Sequence, residues 1–200
     1  MSDNIQNTLH YTLKTDLMCE KTHVMIDIET MGNKVNAPIT SIGAVQFDAE
    51  GNFLSDFQAV INLATSMEVG CTPDASTIYW WLNQSWAARN FVANGEKVSI
   101  QKALGQLNSY LSNVQPKKKS LFIWANSPSF DCSILRNSYE KVGEKPYWVV
   151  WNEMDLRTFT NFAPDIKKGA KEDNKGNDLL HTPIEDCKMQ IKILTSILCL

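Results

Sequence analysis

The chain has 200 residues, 44% hydrophobic and 20% charged, and its 19 basic against 22 acidic side chains leave a net charge of −3. A chain of this length can bury roughly 70% of its unfolded surface, so it folds without disulfides or a structural metal, which excludes the small secreted scaffolds. The acidic balance argues against a protein that coats duplex DNA by counterion release, but not against a metal-dependent nuclease, whose cleft must gather carboxylates.

The cysteines (Cys19, Cys71, Cys132, Cys187, Cys199) are odd in number, scattered and without a pair at zinc-ligand spacing, and they read as reduced thiols. No apolar run approaches the ~18 to 20 residues that span a bilayer, and the polar start from Met1 to Asn7 lacks a basic stretch followed by an apolar one. No membrane association and a cytoplasmic location are expected.

Residues 1–20 are polar and aperiodic and read as a flexible leader, with one domain over residues 21–200. Val24 to Ile28 is apolar almost throughout, as in a central strand buried on both faces. Ile39 to Phe47, a turn at Asp48 to Asn52, and Phe53 to Ile61 form a predicted hairpin. Short helices are predicted from Asp74 to Leu82 and from Ser85 to Val92, and Ile100, Leu104, Leu107 and Leu111 recur at helical spacing. The run Lys117-Lys118-Lys119 reads as a solvated turn before a strand from Leu121 to Trp124. A helix from Phe130 to Val142, a strand from Tyr147 to Trp151 and a helix from Met154 to Phe162 follow, and Asp165 to Asp178, without apolar periodicity, reads as a mobile loop.

The last helix has the clearest start: Thr182, Pro183 and Glu185 fit the N-cap, first helical position and N3 of a capping box, so the helix begins at Pro183. Ile184, Cys187, Ile191, Leu194 and Leu198 then share one face. Strands followed by helices, without an internal repeat, point to a single α/β domain with a mixed central sheet flanked by helices.

Alternation along the first strand sends Asp27 and Glu29 to the same side. On an exposed strand such a pair is only a solvated edge. Beside buried residues, two carboxylates repel unless a cation joins them, and a hard divalent ion is the natural partner. Around the capping box, His181 and Asp186 occupy the positions of the usual hydrophobic staple, so an imidazole and a carboxylate share one side of a helix N-terminus; the plain alternative is a helix cap and an acid favoured by the macrodipole. Asp131 falls at the start of another helix, after the turn-rich Ala125 to Ser129.

Asp27-Ile28-Glu29-Thr30, Ser129-Phe130-Asp131, and His181 followed after four residues by Asp186 resemble, in order and spacing, the three motifs of the DEDDh superfamily of 3′-to-5′ exonucleases. The resemblance runs from about His23 to the C-terminus. Thr77 to Trp81 with Gln84-Ser85, and Asp155 to Thr158, are similar to the phage and prophage branch of that superfamily, which includes exodeoxyribonuclease VIII-like proteins.

The resemblance implies a ribonuclease H-like fold and a site in which Asp27, Glu29, Asp131 and Asp186 hold two Mg²⁺ or Mn²⁺ ions. It also implies that His181, with an unperturbed pKa of ~6.5, acts as general base and that the product is a nucleoside 5′-monophosphate. Partners would be single-stranded DNA or RNA 3′ ends, and a homodimer is one assembly it allows. Thr30 and Met31 fall where the superfamily contacts the terminal nucleotide, with core the equal alternative for Met31, and Trp81 joins them as a substrate-binding candidate, although aromatic residues on a short helix, such as Trp80, Trp81 and Trp86, are more often core. Lys167, Lys168 and Lys171, just before His181, are phosphate-contact candidates. Two other classes stay open at this level: an end-binding module without catalysis, and a metal-dependent phosphoesterase for small nucleotides.

Overall fold

The computed structural model describes residues 21–173 and 181–198; the expected leader (1–20) and the last part of the predicted loop (174–178) lie outside the described residues. A six-stranded mixed sheet runs in the order β4-β3-β2-β1-β5-β6, built from β1 (Thr22–Thr30), β2 (Ile39–Phe47), β3 (Phe53–Ile61), β4 (Lys97–Val98), β5 (Leu121–Ala125) and β6 (Glu153–Asp155). β1, β2 and β3 are antiparallel neighbours, whereas β5 joins β1, β6 joins β5 and β4 joins β3 in parallel. This is the ribonuclease H-like sheet that the sequence motifs imply, in one domain.

Both faces of the sheet are covered, which explains why β1 reads as almost continuously apolar. Val24, Ile26 and Ile28 face a core made with α4 (Ile100–Val114) and α5 (Asp131–Lys141), through Leu104, Leu107, Leu111, Ile134 and Leu135. Met25 points the other way, into a layer with Val45, Phe47, Trp124 and α8 (Pro183–Leu198). All five residues of the apolar face predicted for that last helix (Ile184, Cys187, Ile191, Leu194, Leu198) lie in this layer. Each fully buried aliphatic side chain stabilises the fold by roughly 1.5–3 kcal/mol, so α8 is fixed along its length. The three described cysteines, Cys71, Cys132 and Cys187, are buried free thiols.

Several elements differ from the sequence reading. The segment from Tyr147 to Trp151 is not a strand: Val150–Asn152 is a 3₁₀ turn, Val150 and Trp151 are exposed, and the strand that pairs with β5 is Glu153–Asp155. The apolar run misleads because Trp148 alone enters the core, while the Asn152 amide donates to the carbonyls of Lys119 and Leu121 at the start of β5. Met154 is consequently in a strand, and the next helix, α6 (Leu156–Phe162), starts after the N-cap Asp155. Pro164–Asp173 is a helix, α7, where a loop was expected. Proline suits its first position, and among the described residues Ile166 and Ala170 are the hydrophobic ones that pack inward, too few to register as periodicity. Two short elements escaped the sequence altogether: β4 and α1 (Leu63–Glu68), the latter capped by Asn62, which accepts from Ala64 N–H. The predicted helices near Trp80 and Trp86 are α2 (Ala75–Leu82) and α3 (Trp86–Asn94), capped by Asp74 and Ser85.

One close approach sets where α8 begins. Gly43 on β2 lies opposite Asp27 on β1, and a Cβ there would come within 2.6 Å of the Pro183 carbonyl carbon and 2.9 Å of Ile184 N. The missing side chain lets the N-terminus of α8 sit directly on the sheet beside Asp27. Gly43→Ala is therefore expected to cost about 1–3 kcal/mol through overpacking and to lower any activity that needs Asp186 in place. Gly105, within α4 and with nothing inside 4 Å of a built Cβ, is the control: Gly105→Ala should gain about 0.5–1 kcal/mol. Thermal unfolding of the two variants checks the contrast.

Candidate active site

Four carboxylates meet at the edge of this close contact. Asp27 and Glu29 leave β1 on the side of α8, and Glu29 is buried. β5 pairs with β1 only as far as Met25 opposite Trp124, which frees the Ile28 N–H, and Asp131 at the start of α5 accepts it at 3.3 Å. Asp186, in the first turn of α8, accepts the backbone N–H of His181 at 3.0 Å. His181 there has φ = 69°, a left-handed conformation uncommon for residues other than glycine, though asparagine, aspartate and histidine reach it more readily than most. Oxygens of Glu29 and Asp186 and a ring nitrogen of His181 lie within 4.8 Å of one another.

The electrostatics follow from burial and crowding. Burial, then repulsion from Asp131, Asp186 and Glu29, holds Asp27 well above the ordinary carboxylate range. Glu29 is raised by burial and by Asp186 and Asp131. Burial pushes Asp131 up to about 7 against the opposing pull of its backbone hydrogen bonds and of Arg157, and Asp186 up to about 6 against the hydrogen bond from His181. Burial lowers His181, favouring the neutral imidazole that can accept a proton.

Among the described residues none of the four acids forms an ion pair, although Arg157 acts on Asp131 from a distance. Among the described residues the ion pairs are Arg136 with Glu153 and Lys188 with Glu185, neither of which involves them. An oxygen-only donor set on a partly buried edge fits a divalent cation.

Gln190 is a site residue that the sequence reading missed. It is buried, donates from Nε2 to Asp27 Oδ1 at 2.7 Å, and keeps its Oε1 buried without a hydrogen-bond partner. The available signal was its spacing, one helical turn after Asp186 on an otherwise apolar face. Cys187 lies beneath the cluster with its thiol against the carbonyls of Met25 and Gly43.

A cleft of about 470 Å³ opens beside the acids, lined by Glu29, Thr30, Gly32, Thr77, Trp80 and Phe130. Thr30, a substrate-contact candidate, lines this cleft, with its hydroxyl donating to the Gly32 carbonyl at 2.6 Å. Trp81 is only 5% exposed, and its indole N–H donates to the Thr30 carbonyl at 2.9 Å, so it supports the strand while its neighbour Trp80 faces the cleft. Met31 is half-buried and lines a separate apolar cleft with Trp81, Leu82 and Val92. Lys168 is exposed on α7, and Lys167 and Lys171 belong to that helix rather than to a loop.

Raised carboxylate pKa values mean that the folded protein binds more protons than the unfolded chain. Stability without metal is then highest below the unfolded value near 4 and falls as pH rises through the folded values, about 6 to 7 for Asp186 and Asp131. In chelator, the unfolding temperature should fall between pH 5 and 8, Asp27→Asn should be more stable than the parent at pH 8, and Mn²⁺ should remove most of the difference. Thermal melts across that range check this; a flat profile would disprove the repulsion.

The family described as the 3′-5′ exoribonuclease Rv2179c-like domain matches residues 22–198. An exodeoxyribonuclease of Enterobacteria phage T4 is 27% identical over 158 residues, covering 67% of this chain and 68% of the phage protein. Among solved structures, the zinc-bound complex of E. coli exonuclease I with single-stranded DNA superposes with a TM-score of 0.64 at 16% identity over 86% of this chain. The E. coli exonuclease I complex with a dT13 oligonucleotide superposes at 0.60 and 15% identity over 88%. The chain spans only 39% and 40% of those two proteins, and at such identity they establish the fold. With residues 22–198 matched, nearly the whole described length, the chain belongs to the 3′-5′ exoribonuclease Rv2179c-like family of exonucleases.

Proposed function

We propose that this protein is a divalent-metal-dependent 3′-to-5′ exonuclease that releases nucleoside 5′-monophosphates from single-stranded DNA. The observation that carries the reading is the convergence of Asp27, Glu29, Asp131, Asp186 and His181 beside one open cleft. DNA is favoured by the phage T4 relative, an exodeoxyribonuclease. RNA is the second reading, favoured by the description of the matching family.

The four carboxylates would hold two Mg²⁺ or Mn²⁺ ions. Bound there, such ions supply the charge that readies a water for attack and offsets the charge growing on the departing 3′ oxygen. The chain's own residues do the rest. Gln190 holds Asp27 in one orientation through Nε2. His181, kept neutral by partial burial, accepts the proton of the attacking water. Phe130 and Trp80, partly exposed on the cleft, offer apolar faces on which a terminal base can stack.

Single-stranded DNA and RNA, labelled at either end and incubated with Mg²⁺, test the reading. Shortening from the 3′ end with mononucleotide products is expected, resisted by a blocked 3′ end and indifferent to a blocked 5′ end; rapid cleavage of a closed single-stranded circle would overturn it. His181→Asn is the sharper variant, because asparagine tolerates the left-handed backbone while removing the base. It should lower kcat by ~10² to 10⁴-fold and leave Mn²⁺ affinity, measured by calorimetry, nearly unchanged.

A further inference from the structure

A catalytic imidazole is ordinarily aimed by a hydrogen bond to its second nitrogen. Here, among the described residues, the hydrogen bond of His181 is made by its backbone, to Asp186, and its ring is met by an aromatic neighbour. The ring of Trp80 stands edge-to-face against the imidazole, with centroids 4.8 Å apart and planes at 79°.

We propose that Trp80 is a positioning residue for His181, holding the imidazole toward Glu29 and Asp186 through this ring contact, so that its removal lowers turnover itself, apart from any loss of base stacking. The inference rests on the reading of His181 as the base.

Trp80 is well placed to serve as a fixed wall. It packs edge-on against Trp81 at 5.2 Å and 82°, and Trp81 is tied by its indole N–H to the carbonyl of Thr30, next to Glu29. The start of α2 is tied to the same strand end, because the N–H of its cap Asp74 donates to the Met31 carbonyl at 2.7 Å. Trp80 therefore belongs to the β1 frame that carries Asp27 and Glu29, whereas His181 arrives from the distant C-terminal part of the chain. Their contact registers one part of the site against the other. An aromatic pair of this geometry is also selective in orientation, which plain apolar packing is not. Trp80 remains 42% exposed and lines the cleft with Thr30 and Phe130, so a terminal base seated there would lie against the same ring that steadies the imidazole.

A double-mutant cycle on the full chain tests this, with kcat and KM measured on a single-stranded oligonucleotide at saturating Mn²⁺ for Trp80→Ala, Trp80→Phe, His181→Asn and the Trp80→Ala/His181→Asn pair. Misplacing a reacting group can cost up to about 10²-fold, so Trp80→Ala should lower kcat by about 10- to 100-fold. Trp80→Phe should recover most of the loss, and in the His181→Asn background Trp80→Ala should cost nothing further in kcat. A rise in KM with kcat unchanged would assign Trp80 to base stacking alone and overturn the proposal, as would an equal fall in kcat in both backgrounds. Unchanged kcat in His181→Asn alone would instead overturn the reading of His181 as base. If Trp80→Ala does not fold, Trp80→Leu, which keeps apolar volume without a ring, replaces it with the same expected outcomes.

Discussion

Four carboxylates close enough to raise one another's pKa, largely stripped of water and, among the described residues, without an ion-pair partner, repel one another, and the rest of the fold is arranged to resist that repulsion. An isolated buried carboxylate protonates or moves into solvent. These four are prevented from moving because they are anchored in three rigid elements: β1 for Asp27 and Glu29, α5 for Asp131, α8 for Asp186. The two apolar layers on either face of the sheet hold those elements together. Charge repulsion thus becomes a stored affinity for a divalent cation.

The anchoring depends on a few local features. β5 diverges from β1 after Met25, and the Ile28 N–H so released becomes the hydrogen-bond donor for Asp131. A glycine on β2 allows the first turn of α8 to lie on the strand pair itself. A left-handed residue before that helix turns one backbone N–H toward Asp186. Asp131 and Asp186 are thus each supported by a backbone N–H, and Asp27 by the neutral amide of Gln190, so the negative charge of the cluster is left for what the site binds.

The tryptophan pair shows how neighbouring residues of one type divide labour. On α2, Trp81 points inward, bonds the Thr30 carbonyl and is lost to solvent, while Trp80, one position earlier and so about 100° round the helix, meets His181 and the cleft. Packing and site geometry are joined there through a single short helix.

The motif residues, the apolar face of α8, its start at Pro183 and the buried character of β1 were all legible in the sequence, because each depends on local periodicity or on capping chemistry that neighbouring residues express. The polar environment of the site was not. Gln190 touches Asp27 across 163 positions of chain, Gly43 matters only because Pro183 lands on it, and the choice of Trp80 over Trp81 depends on which side of α2 meets β1. The strand misplaced at Tyr147 to Trp151 and the helix at Pro164–Asp173 have the same origin. An apolar run can serve the core through a single tryptophan, and a polar segment can be helical when two residues suffice to dock it. Local pattern and the motif resemblance marked the candidate site residues; their distances, partners and exposure were decided by contacts between segments far apart in the chain, because burial and repulsion act through space and leave no period in the sequence.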